Sequence, residues 1–379
     1  MRTLLLVLTL TPLLAQNIRK LDGSTITTAD AEAFARQTLT KHNVTGAQIA
    51  VLNNGRLVWS MSHGLRQRNP DLPMTNDTVT WAASITKGLF GAYVAHLVER
   101  KQFSLDTPIA RLLPNPLDTY EPYKSTATEL VKDPRWQSVT PRILLSHTSS
   151  LHNFAFLEPD QKMHLRAEPG TAYRYSGDGL NIVQFVIEQQ QGRPLDQLMQ
   201  DAFFTPLQMT RTGMIFRKEF ESNIADRFNA DGNFIAKTRR FPARASGNMS
   251  TTAEDLARFA AHILNTKTGD LFQPQFQIRT RHQFPQADNE PEGIEAKQTG
   301  LAYGLGWGLL TKTKFGPAFF KEGHGDGAQN FMICFTRSKS CMILLTNSDN
   351  GERAFRPLLE TILGNTVSPW EWHGYPTSN

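Results

Sequence analysis

The chain has 379 residues, 40% of them hydrophobic and 20% charged, with 26 glycines and 21 prolines. That balance supports a large buried core, in one domain or two closely joined subdomains, and excludes a disordered, fibrous or membrane-spanning protein. The formal charge of +5 is scattered, without a basic run or an aromatic-basic ladder, which argues against a nucleic-acid partner.

The first stretch, MRTLLLVLTLTPLLAQ, places one arginine before an apolar run from Leu4 to Leu14 and the small Ala15 before polar sequence. This is the outline of a secretory signal peptide over residues 1–15. The run falls short of the roughly 20 residues that span a bilayer. Export to the periplasm or the exterior is therefore expected, without stable membrane insertion after cleavage. Leu13 fits the small-x-small cleavage pattern poorly, and no cysteine follows the run to carry a lipid.

TADAEAFARQTLTKHNV has helical periodicity behind a Thr and Asp start, and GAQIAVLNNGRLVWSMSHG reads as two strands around an Asn54-Gly55 turn. From Ser84, the residues Leu89, Phe90, Tyr93, Val94, Leu97 and Val98 recur at three and four, giving a helix that ends near Lys101. VTPRILLSH, GLNIVQFVIEQQQG, LDQLMQDAFF and TAEDLARFAAHIL are further helical stretches. Strands return from YGLGWGLL through PAFFKEGHGDGAQNFMICFT and CMILLTNS, and ERAFRPLLETILG closes with a helix. The segment from Gly269 to Gly300 is polar and aperiodic, which reads as a surface excursion.

Strands at both ends with helices between them predict an α/β (α+β) fold. One antiparallel sheet is built from both termini and flanked by helices, with a mostly helical region inserted. The sheet part covers about residues 24–80 and 246–368 and the helical part about 81–245, within one domain over 16–379.

The only cysteines, Cys334 and Cys341, flank a short polar turn. If Arg337 and Ser338 form its loop, the two stand opposite each other. That leaves two arrangements, a disulfide or a pair of buried thiols. Neither their number nor their spacing makes a metal site.

Ser84 and Lys87 lie three residues apart at the head of the Ser84 helix and so share a face. A serine hydroxyl becomes nucleophilic when a nearby base takes its proton, and lysine can serve once burial or a second cation lowers its pKa. At the helix start, the backbone NH of Ser84 is free to steady an oxyanion. Other hydrolytic signatures are missing: there is no Gly-x-Ser-x-Gly elbow and no His-Glu-x-x-His or comparable zinc pattern. No metal or organic cofactor is implied.

Six landmarks then follow in order: TWAASITKGLFGAYVAHLVERKQFSLDTPIARLLP, VTPRILLSHTSSL, PGTAYRYSGDGLNIVQFVIE, MSTTAEDLARFAAHIL, YGLGWGL and GHGDGAQNF. Together they resemble the serine β-lactamase and penicillin-binding protein superfamily, in its class C-like branch with D,D-peptidases and esterases. The resemblance covers nearly all of the chain after the leader.

It implies Ser84 as nucleophile, Lys87 as its base or hydrogen-bond partner, and Tyr175 as the phenol that shuttles a proton to and from the leaving group. That last role needs a cation such as Lys87 to lower the phenol's pKa. Tyr173 competes with Tyr175, and the preceding Pro169-Gly170-Thr171 sets the register on Tyr175. In the same register His324 falls on the Lys or His of the third motif, and the NH of Gly327 completes the oxyanion hole with that of Ser84.

His147 is expected to pin a loop through hydrogen bonds. Two departures touch substrate recognition: Gly177 stands where the second motif commonly has Asn, and Asp326 where the third commonly has Gly. The implied activity is an exported serine hydrolase working through an acyl-enzyme on an ester, a D-amino-acid peptide or a β-lactam. A class C β-lactamase proper, or a penicillin-binding sensor without turnover, are its alternatives. The oligomeric state is left open.

Overall fold

The computed structural model describes residues 17–266, 269–283 and 292–375, so the expected signal peptide lies outside the described residues. Helix α1 (Thr28–Lys41) begins at Thr27, whose hydroxyl accepts from the Asp30 NH and so satisfies one of the free donors of the first turn. Strands β1 (Gly46–Asn53) and β2 (Arg56–Gln67) form the expected hairpin. Its loop residues Asn54 and Gly55 have φ of 51° and 69°, the left-handed pair that suits the twist of a two-residue hairpin. After the short β3 (Leu72–Pro73) come α2 (Ile85–Glu99), α3 (Gly177–Gln191) and α4 (Ala253–Asn265).

The segment from Gly269 to Gly300 departs from the expected excursion. Phe276 and Gln277 form a strand, β4 (Phe276–Gln277), and α5 (Ile294–Thr299) follows. Residues 284–291 lie outside the described residues. Ile278 and Ala296 are buried, so isolated apolar residues, too few to give a periodic pattern, dock this stretch on the sheet edge.

The chain then adds β5 (Leu301–Tyr303), β6 (Gly308–Leu310), β7 (Ala318–Gly325), β8 (Ala328–Phe335) and β9 (Ser340–Thr346). The result is one nine-stranded sheet in the order β4-β5-β6-β7-β8-β9-β1-β2-β3, with every neighbouring pair antiparallel. The α/β (α+β) architecture expected from strands at both ends is the one observed.

Alternation along the central strands divides the interior into two layers. Ala50, Leu52, Met332, Ile343 and Leu345 pack with α2, α3 and α4 on one face. Ile49, Val51, Phe331, Ile333 and Leu344 pack with α1 and the C-terminal segment on the other. The expected closing helix is built in three pitches. A 3-10 turn (Gly351–Ala354) leads into an α turn (Phe355–Leu358) and then a π turn (Leu359–Leu363), ended by Gly364 at φ 74°.

Cys334 and Cys341 stand opposite each other in the β8–β9 register, with Cα atoms 4.1 Å apart, and they form a disulfide. Replacing both by serine is expected to lower stability by about 2 kcal/mol, the loop-closure entropy of a short crosslink. Thermal unfolding of that variant, and of the parent with and without reductant, checks the value. An unchanged Tm would mean that the strand pairing already holds everything the bridge holds.

Candidate active site

The chain reaches α2 through a sharp turn. Ala83 takes φ 45°, a left-handed geometry that costs of order 1 kcal/mol for a residue with a Cβ. The surroundings hold it there: Trp81 Nε1 donates to the Gly247 carbonyl at 2.5 Å, the Ala82 NH to the Met249 carbonyl at 2.9 Å, and Asn330 Nδ2 to the Trp81 carbonyl at 3.0 Å. Ser84 therefore caps α2 with its side chain released from capping.

Unlike a surface helix, α2 is apolar nearly all round, and it is buried accordingly. Gly88 and Gly91 let the segment Leu305 to Trp307 press onto it. A Cβ at Gly91 would stand 1.8 Å from the Leu305 carbonyl oxygen.

Lys87 is 1% exposed in this setting. Its Nζ donates to Ser84 Oγ at 2.9 Å and to the Ser246 carbonyl at 2.5 Å. Burial, and then the charge of Lys321, push the ammonium well below the usual lysine range, while Glu322 pulls the other way.

Tyr175 precedes α3, and its hydroxyl hydrogen-bonds Ser84. Lys87 Nζ lies 4.7 Å, and Lys321 Nζ 5.1 Å, from the centre of its ring. Burial and then Glu322 hold the phenol well above its ordinary value, against the Ser84 hydrogen bond. This reverses the expected lowering by Lys87. The physical reason is that Lys87 is itself pushed toward neutrality and Lys321 is paired with Glu322, so little net positive charge faces the ring.

Tyr173 lies instead among Tyr303, Trp372 and His147. His147, itself at φ 57°, accepts the Ser176 NH on Nδ1 at 3.1 Å and the Arg174 NH on its carbonyl at 2.7 Å. Both bonds fix the loop that carries Tyr175.

Strand β7 runs past the head of α2, and here the expected positions shift. Pleating sends Lys321, Gly323 and Gly325 to the α2 face and Glu322 and His324 to the other. A Cβ at Gly323 would stand 2.3 Å from the Ala82 carbonyl oxygen and 3.2 Å from the Ile85 nitrogen, so the strand abuts the turn around Ser84 at this glycine. The imidazole of His324 turns away, with Nε2 2.8 Å from Tyr375 Oη, and the residue stays exposed.

The cation facing Tyr175 from this strand is Lys321, fully buried, with Nζ 2.5 Å from Glu322 Oε1. The two side chains meet around an open edge, because β6 pairs with β7 only as far as Phe320. Gln283 Nε2 donates to the same Glu322 oxygen at 2.8 Å.

Gly327 also departs from its expected place. It sits in the β7–β8 turn at φ 69° with its NH donated to Asp349 Oδ1 at 2.5 Å. That NH is spent on the carboxylate. His324 has a backbone NH better placed for the purpose. Gly325 and Ala328 close a two-residue hairpin, so His324 and Gln329 form a pair without mutual hydrogen bonds, and the His324 NH points to the open edge.

Gly177, where a side-chain amide was expected to be missing, is covered by Phe154. A Cβ there would stand 2.4 Å from the Phe154 ring, which stacks on the exposed Phe156 at 5.2 Å. Asp326 is exposed at the hairpin tip, and its carbonyl accepts from Arg227 Nη1 at 2.6 Å. Among the described residues, no group of three or more His, Cys, Asp or Glu side chains could hold a metal ion.

A profile of the family described as Beta-lactamase matches residues 31–363. The chain belongs to the beta-lactamase family. It is 23% identical over 345 residues to penicillin-binding protein 4 of Amycolatopsis lactamdurans, which spans 86% of each chain. It is 26% identical over 213 residues to the esterase EstB of Burkholderia gladioli, which spans 49% of this chain and 51% of that protein, about half its length. The solved structure of a class C beta-lactamase superposes with a TM-score of 0.68 at 14% identity, covering 90% of this chain and 98% of the other.

The family supports a serine hydrolase of the beta-lactamase and penicillin-binding protein type. Among the described residues of this beta-lactamase-family chain, no helix is long and apolar enough to cross a membrane. The sequence reading missed Lys321, Glu322 and Phe154. The signal for the first was Lys-Glu-Gly, a lysine two residues before a glycine on the same strand face, three residues upstream of the register that was read.

Proposed function

We propose that the protein is a serine hydrolase that works through an acyl-enzyme on Ser84. The observation that carries this reading is the wholly buried Lys87, held 2.9 Å from Ser84 Oγ and pushed toward its neutral form. In the forward step Ser84 Oγ bonds to the substrate carbonyl carbon while its proton passes to Lys87 Nζ. The oxyanion is received by the NH groups of Ser84 and His324. When the bond to the leaving group breaks, Tyr175 gives that group its hydroxyl proton and regains one from the Lys87 ammonium. Water then repeats the sequence on the acyl-enzyme, releasing the acid and freeing Ser84.

The raised phenol of Tyr175 supports a proton donor rather than a phenolate base. Lys321 contributes as the second cation that keeps Lys87 neutral, and His147 as the support of the Tyr175 loop.

An ester is the favoured substrate. Phe154 fills the space over Gly177 with an aromatic wall, where a side-chain amide would bind a substrate amide, so D-amino-acid peptides and β-lactams follow at lower rates. Export through a leader at residues 1–15, with a single catalytic domain over 16–379, belongs to the same reading. The Cys334–Cys341 bridge supports an oxidising compartment.

The purified chain from residue 16 onward is to be offered short-chain 4-nitrophenyl esters, a chromogenic cephalosporin and D-alanyl peptides, with intact-mass detection of the acylated protein. The expected result is multiple turnovers on the esters and an acyl adduct on Ser84. A single stoichiometric burst without turnover would make the protein a penicillin-binding sensor, and turnover of the cephalosporin above the esters would make it a beta-lactamase proper.

A further inference from the structure

Beyond Ser84, on the side away from Tyr175, the cleft carries two arginines on one indole. The Arg240 guanidinium lies 3.5 Å, and that of Arg227 5.2 Å, from the centre of the Trp81 ring. Trp81 is three residues before Ser84 and is fixed by its bond to the Gly247 carbonyl and by Gly325, whose absent Cβ would stand 2.2 Å from Trp81 Cη2.

The two arginines are not equivalent. Arg227 is tied to the Asp326 carbonyl, with the Asp326 and Asp349 carboxylates facing it. Arg240 faces Asp326 at longer range and forms no ion pair with a carboxylate among the described residues. Its neighbour Arg239, by contrast, is paired with Glu221. Arg244, exposed, adds a third positive charge to the same side. A guanidinium stacked on an indole keeps its outer edge, with its NH donors, for a ligand.

Strand β7 orders the cleft. Lys321 faces Tyr175, Gly323 abuts the Ser84 turn and Gly325 abuts Trp81. Two residues of strand advance about 6.6 Å. Tyr175 therefore serves the leaving group on one side of Ser84, and Trp81 with Arg240 bounds the acyl group on the other.

We propose that Arg240, stacked on Trp81, receives a carboxylate at the far end of the acyl chain, so that the acyl half of the substrate is that of a dicarboxylic acid. The proposal rests on the reading of Ser84 as the nucleophile. An adipoyl ester is the probe, because it carries a free carboxylate at the far end of its acyl chain. The bidentate fit of guanidinium to carboxylate supplies both affinity and orientation.

The test compares 4-nitrophenyl hydrogen adipate with 4-nitrophenyl heptanoate, which has the same length and no charge. The parent is expected to prefer the adipate at least tenfold in kcat/KM. Arg240→Gln brings that ratio to near parity, and Arg240→Lys retains part of it. Using the ratio cancels any loss common to both esters. An unchanged ratio in Arg240→Gln, or a parent without preference, overturns the subsite while heptanoate turnover that depends on Ser84 leaves the nucleophile standing. If neither ester is hydrolysed and neither leaves an acyl adduct on Ser84, the reading of Ser84 as the ester nucleophile falls and the subsite falls with it.

Discussion

Ser84→Ala is expected to reduce ester kcat by at least about 10⁴-fold and to abolish the acyl adduct, since no group beside it can take over the covalent step. The fold should survive the change. Ser84 is only half-buried and makes no capping bond, while Lys87 keeps its 2.5 Å bond to the Ser246 carbonyl. A Tm within about 1 °C of the parent would place the loss in the chemistry, in keeping with a surface truncation worth under about 0.5 kcal/mol. Lys87 keeps its burial in the variant, so any residual hydrolysis measures what the oxyanion donors and Tyr175 achieve with water alone. If Ser84→Ala turned over esters at the parental rate, the assignment of the nucleophile would be wrong.

The second large effect concerns Lys321. Lys87 can act as a base only when it is neutral, so kcat/KM falls as pH drops through the Lys87 pKa. Burial and Lys321 depress that pKa, and Glu322 opposes them. Lys321→Met removes the cation and leaves the pull of Glu322 unopposed by it, so the Lys87 pKa rises. The acid limb of the profile is therefore expected to move to higher pH, with a fall of about 10²-fold or more in kcat/KM at neutral pH.

Because the single variant strands a buried carboxylate, it is also expected to lose roughly 3–5 kcal/mol of stability. The double variant Lys321→Met/Glu322→Gln separates the two effects. It removes the pair together, so stability largely returns. The acid limb still moves up, by less, because Lys321 outweighs Glu322 in its action on Lys87. An acid limb that stayed in place in both variants would show that Lys87 is not the titrating base, or that Lys321 does not act on it.

Both experiments turn on the open edge of β7. Were β6 four residues longer in its pairing, its backbone would run past the place where Lys321 and Glu322 meet and reach the His324 NH. The short β6 (Gly308–Leu310) is thus a condition of the site, and so is Gly323, without which β7 could not approach the Ser84 turn. The aromatic pair Phe154 and Phe156 on one flank and Arg240 on Trp81 on the other then give the cleft an apolar wall and a cationic end.

Local rules were sufficient for part of this. The spacing of Ser84 and Lys87 on a helix puts their side chains on one face whatever surrounds them, and Asn54-Gly55 specifies a tight hairpin from its own backbone preferences. The symmetric placement of Cys334 and Cys341 about one turn made a bridge geometrically available, and the β8–β9 register realised it. These features depend on contacts within a few residues.

The rest depended on pieces of chain that meet only in the folded protein. In KEGHGDG, a pleated strand allows two faces, and nothing within those residues says which one meets α2. The close approach of Gly323 to Ala82 decides it, placing Lys321 rather than His324 against Tyr175. The Gly327 NH looks free in sequence and is taken by Asp349, from beyond the end of β9. The ionisation of Tyr175 likewise followed what the fold packs around it: burial, and then Glu322, hold the phenol up, against the expected lowering. Sequence by itself determined which residues could react, because i to i+3 geometry is local. Only the tertiary structure decided which cation, which backbone NH and which wall surround them, because burial and electrostatics sum over segments far apart in the chain.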